Sequence, residues 1–157
     1  MKKILSLLTL VTLVSSLSFA ENKNEFITME SKDKKKAKYI LENMHQDYIV
    51  CYSFYKIGAE YIKKTNGDPN IVEGVENSSD TSLKLAYETG EMMSMTNEEM
   101  SAKIKSEMKN QLNLIDNNFN NASILLEKYA QVCKNLIENK EQRITFWEKK
   151  SLKSLNE

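Results

Sequence analysis

The sequence predicts an all-α protein: an antiparallel helical bundle of four helices, with the first and last long helices linked by a disulfide. Apolar side chains recur at steps of three and four residues over long stretches, the spacing that lines up one helix face. Clusters of turn-forming residues separate those stretches. The only two cysteines, Cys51 and Cys133, fall near the centres of the first and last helical stretches. Antiparallel outer helices bring those centres together, as an up-down-up-down bundle does.

Residues 1–20, MKKILSLLTLVTLVSSLSFA, read as a cleaved secretory signal peptide. Lys2 and Lys3 open it, a largely apolar run covers residues 4–14, and Ser18 and Ala20 place small residues at −3 and −1 of a cleavage site. The run is short for a bilayer span, and no cysteine follows the cut to accept a lipid. Residues 21–32 carry few apolar side chains and are expected to form a flexible leader. Residues 33–157 then make a single helical-bundle domain, with no integral membrane span after cleavage.

The first long helix is expected over residues 33–64. Met44, Tyr48, Cys51, Tyr55, Gly58 and Ile62 share a stripe, which Ile40, Leu41, Tyr52, Phe54, Ile57 and Tyr61 broaden. Gly58-Ala59 lowers helix propensity but removes bulk, so that a neighbour can approach. The segment TNGDPNIVEGVENSSD ends this helix, because Asn66-Gly67 and Asp68-Pro69 favour turns. A loop is expected over 66–78, with Ser79 or Asp80 capping a second helix over about 80–94.

Thr96 and Glu99 have the three-residue offset of a capping box, which starts a third helix carrying Met100, Ile104, Met108, Leu112 and Ile115. The Asn- and Asp-rich stretch DNNFNNAS at 116–123 favours a break, since an uninterrupted helix from 97 to 150 would run roughly 80 Å. A last helix over about 120–152 carries Leu125, Leu126, Tyr129, Cys133, Leu136, Ile137, Ile144 and Trp147. Three- and four-residue steps dominate up to its charged segment 138–143, which allows a bend although no proline or glycine demands one.

Removing Lys2 and Lys3 leaves 20 basic against 22 acidic residues, and Arg143 is the sole arginine. That balance gives no concentrated positive face for nucleic acid. No cofactor is implied: HExxH, CxxCH and a calcium loop are all missing. Catalysis is disfavoured too. No GxSxG elbow fixes a nucleophile, and Glu60, Glu88 and Glu91 lack the ExxH partners of a diiron bundle.

The leading expectation is a noncatalytic periplasmic or secreted interaction or structural protein. Its partner would be an envelope or secreted protein, or a second copy of itself. The alternative is a protein that binds a small molecule or a metal. Tyr48, Tyr52 and Tyr55, with Glu60, Tyr129 and Trp147, are the candidate contacts for a ligand or partner, in an aromatic pocket between the first and last helices. Export and the pair of cysteines predict a Cys51–Cys133 disulfide. The stretch GEMMSMTNEEM holds four of the chain's eight methionines, Met92, Met93, Met95 and Met100. With the lone His45 these are the candidate metal ligands, since thioethers suit Cu(I). Flexible packing at a helix junction accounts for them more simply.

Overall fold

The computed structural model describes residues 31–154 as five α-helices: α1 Ser31–Lys64, α2 Pro69–Met92, α3 Asn97–Leu114, α4 Ser123–Glu138 and α5 Lys140–Ser154. A single 3-10 turn, Phe119–Asn121, precedes α4. The expected signal peptide lies outside the described residues, as does the leader through residue 30; residues 31 and 32 belong to the opening of α1. The chain from Lys36 onward is one compact unit, and of the other, residues 1–35, only the start of α1 is described.

Two expectations are corrected. The first is the loop at 66–78, which shrinks to a four-residue connection because α2 begins at Pro69. Proline at the first helical position loses no hydrogen bond there, and the Asp68 side chain accepts from the Asn70 amide at 2.8 Å. The Asp-Pro pair that reads as a turn is a cap followed by a helix start. Ser79, expected as a cap, is instead mid-helix and buried, and Asp80 is mid-helix and exposed.

The second correction concerns the helix count. The bundle has five helices, and the disulfide joins α1 to α4, the fourth helix and not the last. The final stretch is divided at Asn139 (φ −148°, ψ 71°). Its side-chain oxygen accepts from the Gln142 amide at 3.3 Å, so a local side-chain bond competes with helix continuation. Neither proline nor glycine is involved.

Cross-helix contacts fix the directions. His45 meets Ala86 and Thr89 while Gly58 faces Val75, so α1 and α2 are antiparallel. Gln111 donates to the Val50 carbonyl and Met100 lies beside His45, which makes α3 parallel to α1. Phe54 packs on Tyr129 and Tyr61 stacks on Phe119, so α4 runs back down. After Asn139, α5 continues along the N-terminal half of α1, where Asp47 takes Arg143 and Tyr39 meets Trp147.

Helix α1 is therefore central, and its buried positions exceed one stripe: Met44, His45, Tyr48, Ile49, Cys51, Ser53, Phe54, Ile57 and Ala59. The face of α2 toward the interior is small, with Ser79, Ser82, Ala86 and Gly90 buried. Small side chains let two helices approach closely, at the cost of lost apolar contact area. The interruption at 115–122 is present, and Asp116 and Asn117 both take left-handed backbone there (φ 53° and 54°). The Thr96–Glu99 capping box forms in both directions.

Candidate functional site

The candidate site is a groove between α1, α2 and α4 with a volume of about 480 Å3. Ligand cavities typically occupy ~300–1,000 Å3 and are mostly apolar, with few polar groups. Phe54, Tyr55, Ile57, Gly58, Tyr61 and Ile62 form the α1 wall, Val75 and Ser78 the α2 wall. Ala122, Leu125, Leu126, Ala130, Lys134, Ile137 and Glu138 complete it. Small residues on all three sides make the space. At Gly58 an added Cβ would meet only Val75 Cγ1, at 3.9 Å.

The disulfide ties together two walls of this groove, α1 and α4. Cys51 is one turn before Phe54, and Cys133 adjoins Lys134; their Cα atoms are 5.3 Å apart. Polar side-chain groups come from Tyr55, Tyr61, Ser78, Lys134 and Glu138. Burial raises the Tyr55 pKa above its usual 10.0, and the Glu138 carboxylate adds to the shift. Tyr55 is thus a neutral phenol at physiological pH, able to donate or accept one hydrogen bond.

The six ligand or partner candidates do not share one place. Tyr55 lines the groove; Tyr129 packs behind it against the Phe54 ring, with centroids 6.2 Å apart. Tyr48 is buried elsewhere, its pKa pushed up to about 12 by burial and then by Asp47, Glu88 and Glu141. Tyr52 is half-buried near Asp80 and Tyr87; burial raises its pKa, and those two neighbours raise it further. Glu60 reaches Lys63 at 4.0 Å on the surface. Trp147 is at the α1–α5 seam, donating from Nε1 to Asp47 Oδ2 at 2.5 Å.

That seam holds an arrangement the sequence did not suggest. Arg143 donates from Nε and a terminal nitrogen to the two Asp47 oxygens, at 2.6 and 2.8 Å, and its guanidinium stacks over Phe146 and Trp147. Bidentate, charge-assisted geometry of this kind fixes orientation as well as contributing energy. Here it locates α5. Because 96 residues separate the partners, no local pattern announces the pair.

The metal candidates divide differently. His45 and Met100, each 1% exposed, are brought together beside Gly90. Met93 caps α2, half-buried Met95 packs against the core, and Met92 is exposed. His45 Nδ1 lies 3.1 Å from the Ala86 carbonyl oxygen and 3.1 Å from Thr89 Oγ1. A carbonyl can only accept, so Nδ1 carries the proton and Nε2 presents a lone pair. That buried lone pair has no hydrogen-bond partner, a situation that costs about 1–3 kcal/mol. Burial, with help from the nearby Lys103 ammonium, lowers the His45 pKa from 6.5 despite the opposing Ala86 bond.

Among the described residues, no three His, Cys, Asp or Glu side chains gather where they could hold a metal. No helix there is long and apolar enough to cross a membrane. Set against protein-family models, curated proteins and solved structures, the chain matches none.

Proposed function

We propose that this is a binding protein for a small, largely apolar molecule, held in the groove between α1, α2 and α4. The observation that carries the reading is the groove itself: about 480 Å3, walled by aromatic and aliphatic side chains, with polar side-chain groups on only five of its lining residues. Such a lining suits a ring or alkyl body with one polar substituent directed to Tyr55, Lys134 or Glu138. The interaction-protein reading has less support. The exposed large apolar side chains, Ile71, Leu114, Leu126 and Leu152 among them, are scattered over four helices, whereas a docking face needs a contiguous patch.

The proposal places the protein in the periplasm or outside the cell. Lys2, Lys3, the apolar run and the Ser18/Ala20 pair support export. So does the Cys51–Cys133 bridge, a type of bond that persists in oxidising compartments.

The test is titration with the uncharged fluorophore N-phenyl-1-naphthylamine, comparing the native protein with Gly58→Ala and Gly58→Leu. Saturable one-to-one binding is expected, retained by the alanine variant and weakened at least ~10-fold by leucine, which fills the groove. Equal binding in native and leucine proteins, or unsaturable uptake, would remove the groove from the function.

A further inference from the structure

The interior contact between α1, α2 and α3 has a chemistry separate from the groove. Its pieces are an imidazole held by one nitrogen, with the other bare, and a thioether pressed against the same glycine. Hydrogen-bonding one ring nitrogen to a backbone carbonyl is the arrangement that orients a metal-binding histidine, because it fixes both tautomer and ring plane. At His45 the Ala86 carbonyl does this, and the free nitrogen, Nε2, has no hydrogen-bond partner.

Gly90 supplies the closeness. A Cβ at that position would stand 2.5 Å from Met100 Sδ and 3.4 Å from His45 Cε1. Only the missing side chain lets sulfur and imidazole approach the same point on α2. The sequence around them is graded in exposure: Met92 is 43% exposed, Met93 and Met95 are half-buried, and Met100 is sealed in. Ser94, between them, holds a left-handed conformation (φ 61°) that turns the chain sharply from α2 toward α3.

We propose that His45 Nε2 and Met100 Sδ form a binding site for a soft monovalent cation of the Cu(I) or Ag(I) class. The methionines of the α2–α3 turn are its route from solvent. Neutral imidazole and thioether are soft donors that favour such ions over calcium or magnesium, which want oxygen. Two donors can satisfy a d10 monovalent ion, whereas zinc sites use three or four protein ligands. Lys103, whose ammonium is near His45, opposes a doubly charged ion more strongly than a singly charged one. No thiol competes, since both cysteines are in the disulfide.

The experiment is a titration of the full-length, disulfide-intact protein with Ag(I) in chloride-free buffer. It is read by native mass spectrometry and by the 15N shift of His45 Nε2. One ion per chain is expected, with an upfield displacement of the Nε2 resonance and at least a tenfold loss of affinity in Met100→Leu, a change that keeps side-chain volume. A triple leucine variant at Met92, Met93 and Met95 should slow uptake while leaving one ion bound at equilibrium. Absence of a bound ion, or binding that ignores Met100→Leu and leaves Nε2 unshifted, overturns the proposal. The second outcome would assign the metal to the surface methionines. Neither bears on fluorophore binding in the groove.

Discussion

Two helical glycines should respond to the same substitution with opposite signs. Glycine inside a helix costs about 0.5–1 kcal/mol relative to alanine, mainly through the entropy of the unfolded chain. At Gly58 the new methyl would meet only Val75 Cγ1, at 3.9 Å, an ordinary contact. The propensity gain survives, and Gly58→Ala should stabilise by about 0.5–1 kcal/mol. At Gly90 the methyl would stand 2.5 Å from Met100 Sδ and 3.3 Å from its Cγ. Met100 is 1% exposed and cannot swing outward without leaving a void. Overpacking of this sort costs about 1–3 kcal/mol, so Gly90→Ala should be net destabilising, by up to roughly 2.5 kcal/mol once the helix gain is subtracted.

Urea unfolding of the oxidised proteins, with m-values checked for constancy, reads both changes. A destabilised Gly58→Ala would mean that the groove is closed in solution. A stabilised Gly90→Ala would mean that Met100 does not sit against α2, and the soft-ion site would lose its geometry.

Among the described residues, Ser94 is the one left-handed residue that is neither Asn nor Asp. Because that conformation costs most L-residues about 1–2 kcal/mol, Ser94→Gly should stabilise by ~0.5–1 kcal/mol in the same urea assay, and a loss of stability would contradict the backbone geometry at this turn. Reducing the Cys51–Cys133 bridge releases a loop closed across 82 residues. The chain-entropy model gives a loss of about 4.5 kcal/mol, and a change below ~1 kcal/mol would show that the unfolded chain gains little from its release. The folded-state pKa of His45 is depressed below its unfolded 6.5. Its contribution is therefore fully present above pH 6.5 and lost as pH falls from there through the folded value. Stability should decline between pH 7 and 5 less steeply in His45→Gln than in the native protein, and equal slopes would mean that His45 is not buried neutral.

Helices α1 and α3 were legible because their signals are local. The 3-4 spacing from Met44 to Ile62 and the Thr96–Glu99 offset each act within a few turns. The break at 116–121 was legible for the same reason, since Asn and Asp tolerate the left-handed backbone that closes α3. With only two cysteines, the bridge was legible from composition. Asp68-Pro69 misled because one dipeptide serves both a turn and a helix start; what separates them is whether Val72 and Ser79 find partners farther along. At Asn139 the charged segment was legible as a place for a bend but not as a helix end. An asparagine in a charged segment stops a helix only when tertiary contacts favour the restart, and here Arg143 and Trp147 reach Asp47.

The candidate sites were the least legible part, because both are made by side chains that are missing or small. The groove needs Gly58, Ser78, Ala122 and Ala130 from three helices, and the His45–Met100 contact needs Gly90. Sequence patterns register large apolar residues, whereas a space is defined by what neighbouring elements leave unfilled. His45 and Gly58 are thirteen positions apart on α1, about 20 Å along its axis at 1.5 Å per residue, and Cys51 lies between them. The bridge to α4 therefore pins the central helix at the point between groove and imidazole. Replacing Cys51 and Cys133 together by alanine, which removes the bridge without exposing silver-binding thiols, should weaken fluorophore binding at one end and Ag(I) binding at the other, even where the remaining core keeps the helices formed. A bridge serving stability alone would leave both affinities unchanged in the still-folded alanine double variant.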